Sequence, residues 1–252
     1  MLYRLRKLID LPIKATDDEI GKIKDVYFDD HRWAVRYLVV ETSWLLGRQV
    51  LISAISVGTT DPRDGVVQVR LTRNQIESSP AIDTNRPVSR QQEVGYFDHY
   101  GYPYYWNGPA LWGSTSNPVL PVSTIPNAPG PSGEAPHDPH LRSANEVTGY
   151  RIHTSDGSIG HVEDFLIDEL SWAIRYLVVD TRNWLPGKHV VIPPQWIAEV
   201  DWSQNVVNVD VTRETVQAAP EYDSGIDFSR SQEASLYQHY QRPSYWQQIP
   251  TL

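Results

Sequence analysis

The chain has 252 residues, a little under two average domains, and its composition (40% hydrophobic, 21% charged, 11% aromatic) is that of a chain able to fill real cores. It contains no cysteine, which excludes disulfide frameworks, cysteine-ligated zinc or iron–sulfur centres, and a thiol nucleophile. Its formal net charge of −9 argues against a global electrostatic grip on nucleic acid or an anionic membrane, because phosphate contacts need clustered Lys and Arg.

Residues 2–9 read as a first strand, with Tyr3 and Leu5 alternating against Arg4 and Arg6. No uninterrupted apolar h-region or small-residue cleavage site follows Met1, and no stretch reaches about 18 consecutive apolar residues. The chain is therefore expected to be cytoplasmic, without an integral membrane segment. Further strands are expected over 22–28, 33–40, 49–52 and 66–71, with turns at 29–32 and 59–65. Thr72 and Ser89 stand where helix caps belong, ahead of helical stretches over 72–77 and 89–100. The tail that follows, Gly101-Tyr-Pro-Tyr-Tyr-Trp106, is too aromatic for a free linker and should pack against its own barrel, the other barrel or a partner.

Self-similarity is the main message. Gly21-Lys-Ile-Lys-Asp25-Val-Tyr-Phe-Asp29 returns as Gly160-His-Val-Glu-Asp164-Phe-Leu-Ile-Asp168, and Trp33-Ala-Val-Arg-Tyr-Leu-Val-Val40 returns as Trp172-Ala-Ile-Arg-Tyr-Leu-Val-Val179. The offset is 139 and becomes 140 after one inserted residue, so that Trp44 matches Trp184, Pro80 matches Pro220, Glu93 matches Glu233 and Trp106 matches Trp246. The copies span about 10–106 and 149–246. The expected organisation is a first domain over 1–106, a proline-rich spacer over 107–148 holding eight prolines, and a second domain over 149–252. Several short strands with turn signals every 8–12 residues indicate a mainly β fold of two small barrels, each with a short helix and an aromatic tail.

Gly-x-[Val/Ile]-x-Asp, three hydrophobic residues and Asp, followed by Arg-Tyr-Leu-Val-Val, resembles the PRC-barrel domain. That fold is the cytoplasmic barrel of the photosynthetic reaction-centre H subunit, and it is shared with a ribosome-maturation factor. The resemblance implies fold rather than activity. In the H subunit a carboxylate that helps protons reach a quinone lies at the aspartate ending the second strand, which matches Asp29 and Asp168. The second carboxylate of that pair, three residues on, is replaced here by Arg32 and Ser171, so the relay is incomplete in both copies. The ribosome-factor pattern, a single barrel behind a domain of another fold, is not that of this chain.

Other chemistry is sparse. No nucleophile elbow, phosphate loop or dinucleotide glycine fingerprint is present. His137 and His140 read as solvated spacer residues with at most weak metal affinity, His99 and His239 as packing residues, and Glu93 and Glu233 as surface partners of Arg90 and Arg230. No cofactor, metal or catalytic residue is assigned. Net charge is concentrated in the second copy at −7, which suits a partner with a basic face. The reading is a non-enzymatic adaptor for a protein partner, with Tyr96, Tyr100, Tyr105, Trp106, Tyr237, Tyr240, Tyr245 and Trp246 as the candidate contact surface. Its rivals are an H-subunit-like accessory protein of a photosynthetic or other electron-transfer membrane complex, associated peripherally, and a small-molecule binder or enzyme with an inter-barrel site. The two copies are also expected to form an internal pseudo-dimer.

Overall fold

A computed structural model of the chain describes residues 1–43, 48–58, 62–80, 88–120, 140–181 and 188–247. It is mainly β, with two sheets, as the strand pattern requires. The matched Trp44 and Trp184, residues 59–61 of the expected turn and residues 121–139 of the spacer lie outside the described residues.

In chain order the strands are β1 (Leu2–Arg4), β2 (Pro12–Lys14), β3 (Glu19–Asp29), β4 (Ala34–Thr42), β5 (Gln49–Ser53), β6 (Val67–Gln68), β7 (Leu141–Ser143), β8 (Arg151–Thr154), β9 (Gly157–Asp168), β10 (Ile174–Asp180), β11 (His189–Ile192), β12 (Ile197–Asp201) and β13 (Val206–Val209). The helices are α1 (Arg73–Glu77), α2 (Arg90–Tyr100), α3 (Ala144–Val147), α4 (Arg213–Ala218) and α5 (Arg230–His239). The strand expected over 2–9 stops at Arg4. Leu5 to Leu8 instead wind into a 3-10 turn, which carries both leucines, three residues apart, onto the buried side.

One compact unit comprises Leu5–Glu146 with Asp168–Ile174; the other comprises Met1–Arg4, Val147–Ile167 and Arg175–Leu252. In the first, the sheet order is β5-β4-β3-β2-β6, and β7 adds to β3. In the second it is β11-β10-β9-β8-β13-β12, and β1 adds to β9. Each unit is thus completed by the strand that precedes the other copy in sequence, and unit boundaries cross copy boundaries. The stretch 107–148 is correspondingly structured where it is described: Trp112 is buried in the first unit, and 141–147 form β7 and α3.

Both additions are gripped by the motif aspartate. Tyr27, Phe28 and Asp29 of β3 pair with Ser143, Arg142 and Leu141 of β7. Asp25 accepts from Ser143 Oγ and, at 3.1 Å, from Asn145 N. Burial raises the Asp25 carboxyl above its ordinary pKa, although these hydrogen bonds work against the shift. In the second unit the equivalent Asp164 accepts from Arg4 Nε of β1, and Glu163 accepts from Arg4 Nη2 at 2.9 Å.

β4 is buried on both faces, so Arg36, opposite the Tyr37 face, is wholly enclosed. The motif glycines answer a close approach. Gly21 (φ 154°) and Gly160 (φ 147°) lie where a Cβ would collide with the backbone oxygens of Glu41 and Asp180. Gly160→Ala is expected to destabilise the second unit by about 2–4 kcal/mol in urea unfolding, a cost set by backbone displacement rather than lost contacts.

Candidate functional site

α2 begins with a capping box in which Ser89 and Gln92 exchange hydrogen bonds. The cap sets Glu93 one turn into the helix, facing inward. Glu93 was expected in a surface pair with Arg90; it is instead fully buried. Its Oε1 accepts from Tyr37 Oη at 2.9 Å and Tyr105 Oη at 2.8 Å, and its Oε2 accepts from Arg90 Nη1 at 2.9 Å and His140 Nε2 at 2.9 Å. Four donors on two oxygens satisfy an ionised carboxylate, which offsets the several kcal/mol that burying it alone would cost. Burial pushes the Tyr37 and Tyr105 hydroxyls well above their ordinary pKa, with the Glu93 charge adding to the shift, so both remain donors.

His140 is likewise corrected. It was expected as solvated spacer; it is 4% exposed and bonded to Glu93. Burial opposes its charge, but the Glu93 hydrogen bond and charge outweigh burial, so the imidazole titrates above its ordinary value. The neighbouring Asp30 N donates to His140 O at 3.0 Å, so this histidine also seats β7.

Behind this cluster Arg36 lies between two rings, its Cζ 3.9 Å from the Tyr105 centroid and 4.5 Å from that of Trp112. It donates to Asp29 Oδ2 at 3.0 Å and to Leu111 O at 2.8 Å. Burial alone would raise the Asp29 carboxyl; the Arg36 guanidinium wins and holds it below the ordinary range. Asp29 Oδ1 also accepts from His31 N and Arg32 N, and Asp168 Oδ1 accepts from Leu170 N and Ser171 N. Both matched carboxylates are therefore committed to their turns. Arg32, three residues on from Asp29, donates to Ala110 O and Gly108 O and fastens the segment after the first tail.

Asp29, Asp30 and His31 lie close enough to suggest a cation site. Asp29 is already paired with Arg36, however, and Asp30 with Arg142 at 2.8 Å, so the local negative charge is spent within the protein.

The second unit repeats the carboxylate. Glu233 Oε2 accepts from Tyr176 Oη at 2.8 Å and Tyr245 Oη at 3.0 Å, and Arg230 Nη1 lies 3.2 Å from Oε1. Glu233 too was expected at the surface and is buried. One repeat upstream of His140 stands Met1, so the second unit has no histidine at that position.

Of the eight aromatic residues expected as a partner surface, Tyr96, Tyr105, Tyr237 and Tyr240 are buried and cannot serve as one. Their hydroxyls or rings are consumed internally: Tyr96 Oη donates to Leu51 O at 3.0 Å, Tyr105 bonds Glu93, Tyr237 stands edge-on to Trp196, and Tyr240 packs 4.5 Å from the Trp196 centroid. Tyr100, Trp106, Tyr245 and Trp246 remain partly exposed. Arg90 Cζ lies 4.2 Å from the Trp106 ring and Arg230 Cζ 4.2 Å from the Trp246 ring, the same stack in both units.

The PRC-barrel domain family model matches residues 1–76 and 139–216, starting in each copy with the strand that completes the other unit. No curated protein matches the chain.

Glu93→Gln, which puts an amide NH2 in place of an oxygen that accepts from two of the four donors, is expected to lower stability by about 3 kcal/mol in urea unfolding. His140→Gln tests the charged pair. The folded pKa of His140 is raised, so its contribution is complete below the ordinary histidine value of about 6.5 and fades as pH rises through the folded value. The gap between wild type and His140→Gln should be about 1.5 kcal/mol near pH 5.5 and clearly smaller at about pH 9.

Proposed function

The chain belongs to the PRC-barrel domain family, and from that premise we propose that it is a non-enzymatic adaptor that holds a protein partner through like contacts on its two units. The observation that carries this reading is the matched Arg–Trp stack, Arg90 on Trp106 and Arg230 on Trp246, which leaves each tryptophan partly exposed. Tryptophan and arginine are the side chains most enriched among residues that dominate binding energy. Each arginine also reaches a tyrosine hydroxyl of its own tail, at 3.0 Å in Arg90–Tyr105 and 2.9 Å in Arg230–Tyr245, so the stack is held in place before any partner arrives. The buried carboxylates fit this role, because their acceptor positions are occupied by donors that lock the tail to the helix.

Two such contacts on one chain make the second binding event intramolecular, which raises avidity without new chemistry. The excess acidity of the second copy favours a partner with a basic face.

Affinity purification from the native host, with Trp106→Ala, Trp246→Ala and the double variant run alongside wild type, tests the proposal. A protein partner should be retained by wild type, bound about 10²-fold or more weakly by each single variant, and absent with the double variant. Recovery of the same proteins in the same amounts by wild type and a folded double variant would overturn it.

A further inference from the structure

The second unit contains a half-open cleft of about 270 Å³ between β11, the loop after α4 and the exposed side of α5, walled by Val191, Pro220, Tyr222, Phe228 and Leu236. The first unit shows what that place is built to hold. There Tyr96 is buried; its hydroxyl donates to Leu51 O at 3.0 Å and accepts from Ser53 N at 3.0 Å. Its ring stands edge-on to Tyr37, with centroids 5.4 Å apart.

In the second copy Leu51 becomes Val191, Ser53 becomes Pro193 and Tyr96 becomes Leu236. The phenol is gone and the amide that donated to it has been replaced by proline, so no donor is stranded, while the carbonyl position on the strand persists. Phe228, where the first copy has Val88, takes up the edge-on contact with Tyr176 at 5.4 Å. It brings no hydroxyl, and it fills the place only in part.

We propose that this cleft binds a small neutral phenol, whose ring lies against Tyr222, Phe228 and Leu236 and whose hydroxyl donates to the Val191 carbonyl as Tyr96 does to Leu51. The volume suits it: an apolar cavity of roughly 150 Å³ holds benzene, so the larger cleft has room for a ring with a short substituent. The walls are apolar and aromatic, and the hydrogen-bonding groups of Gln232 and Ser235 stand at the rim. A neutral ligand is chosen over an anion because the charged side chain in the lining is the carboxylate of Glu221. The proposal rests on the difference between the copies and is independent of the adaptor reading.

Calorimetric titration of the full chain with 4-ethylphenol, with benzoate as the anionic control, decides it. Wild type should give saturable binding at one site per chain, with benzoate silent. Leu236→Tyr, which restores the ring of the first copy, and Ser235→Phe, an exposed change at the mouth, should each weaken binding at least tenfold while thermal unfolding stays cooperative. The absence of saturable binding by wild type, equal binding of benzoate, or unchanged binding by both folded variants would each overturn the assignment. So would binding only of aromatic peptides, which would make the cleft a side-chain socket for a protein.

Discussion

A carboxylate enclosed in apolar surroundings is the constraint on which each unit is organised. Glu93 cannot be buried unless donors reach both of its oxygens, and those donors come from four places in the chain: Tyr37 on β4, Arg90 on α2, Tyr105 on the tail and His140 ahead of β7. Satisfying one charge therefore fixes the helix to the sheet, the tail to the helix and the incoming strand to both. Glu233 fixes helix to sheet and tail to helix in the second unit, with Tyr176, Arg230 and Tyr245. Apolar packing alone would allow the tail to slide over the helix; directional hydrogen bonds to a buried charge do not.

The same constraint accounts for the aromatic excess of the sequence. A tail of Tyr and Trp supplies hydroxyls to the carboxylate and flat faces to the arginines that balance it. Arg36 lies between Tyr105 and Trp112, and Arg90 covers Trp106, so buried or half-buried cations meet aromatic faces as well as carboxylates. The partial exposure of Trp106 follows from this construction: one part of the ring faces the interior and its neighbours, and the remainder is left at the surface.

Features decided by neighbouring residues were legible in the sequence. Thr72 and Ser89 cap their helices through bonds to residues three positions on. Features decided across the chain were not. Glu93 and Arg90 have the spacing of a surface pair, and the burial of Glu93 depends on Tyr37, 56 residues away, and His140, 47 residues away. His140 sat in a proline-marked stretch whose composition described a spacer, while the strand it introduces matches residues 2–4 too weakly in polar pattern to be recognised. The motif aspartates Asp25 and Asp164 were visible as a pattern, but their task of gripping a strand from ahead of the other copy has no local trace.

Duplication explains how the copies could diverge without losing the fold. The helix, the buried glutamate, its two tyrosines and its arginine are kept in both, because removing any one leaves a buried group unmatched. Positions outside that network changed in coordinated sets. Tyr96 Oη accepts from Ser53 N in the first copy, and both residues are replaced in the second, by Leu236 and by a proline that lacks an amide proton. His140 and the Arg36–Trp112 contact were elaborated only in the first. The first unit thereby carries ties that the second lacks, and the second has a cleft beside Leu236, where the first holds the ring of Tyr96.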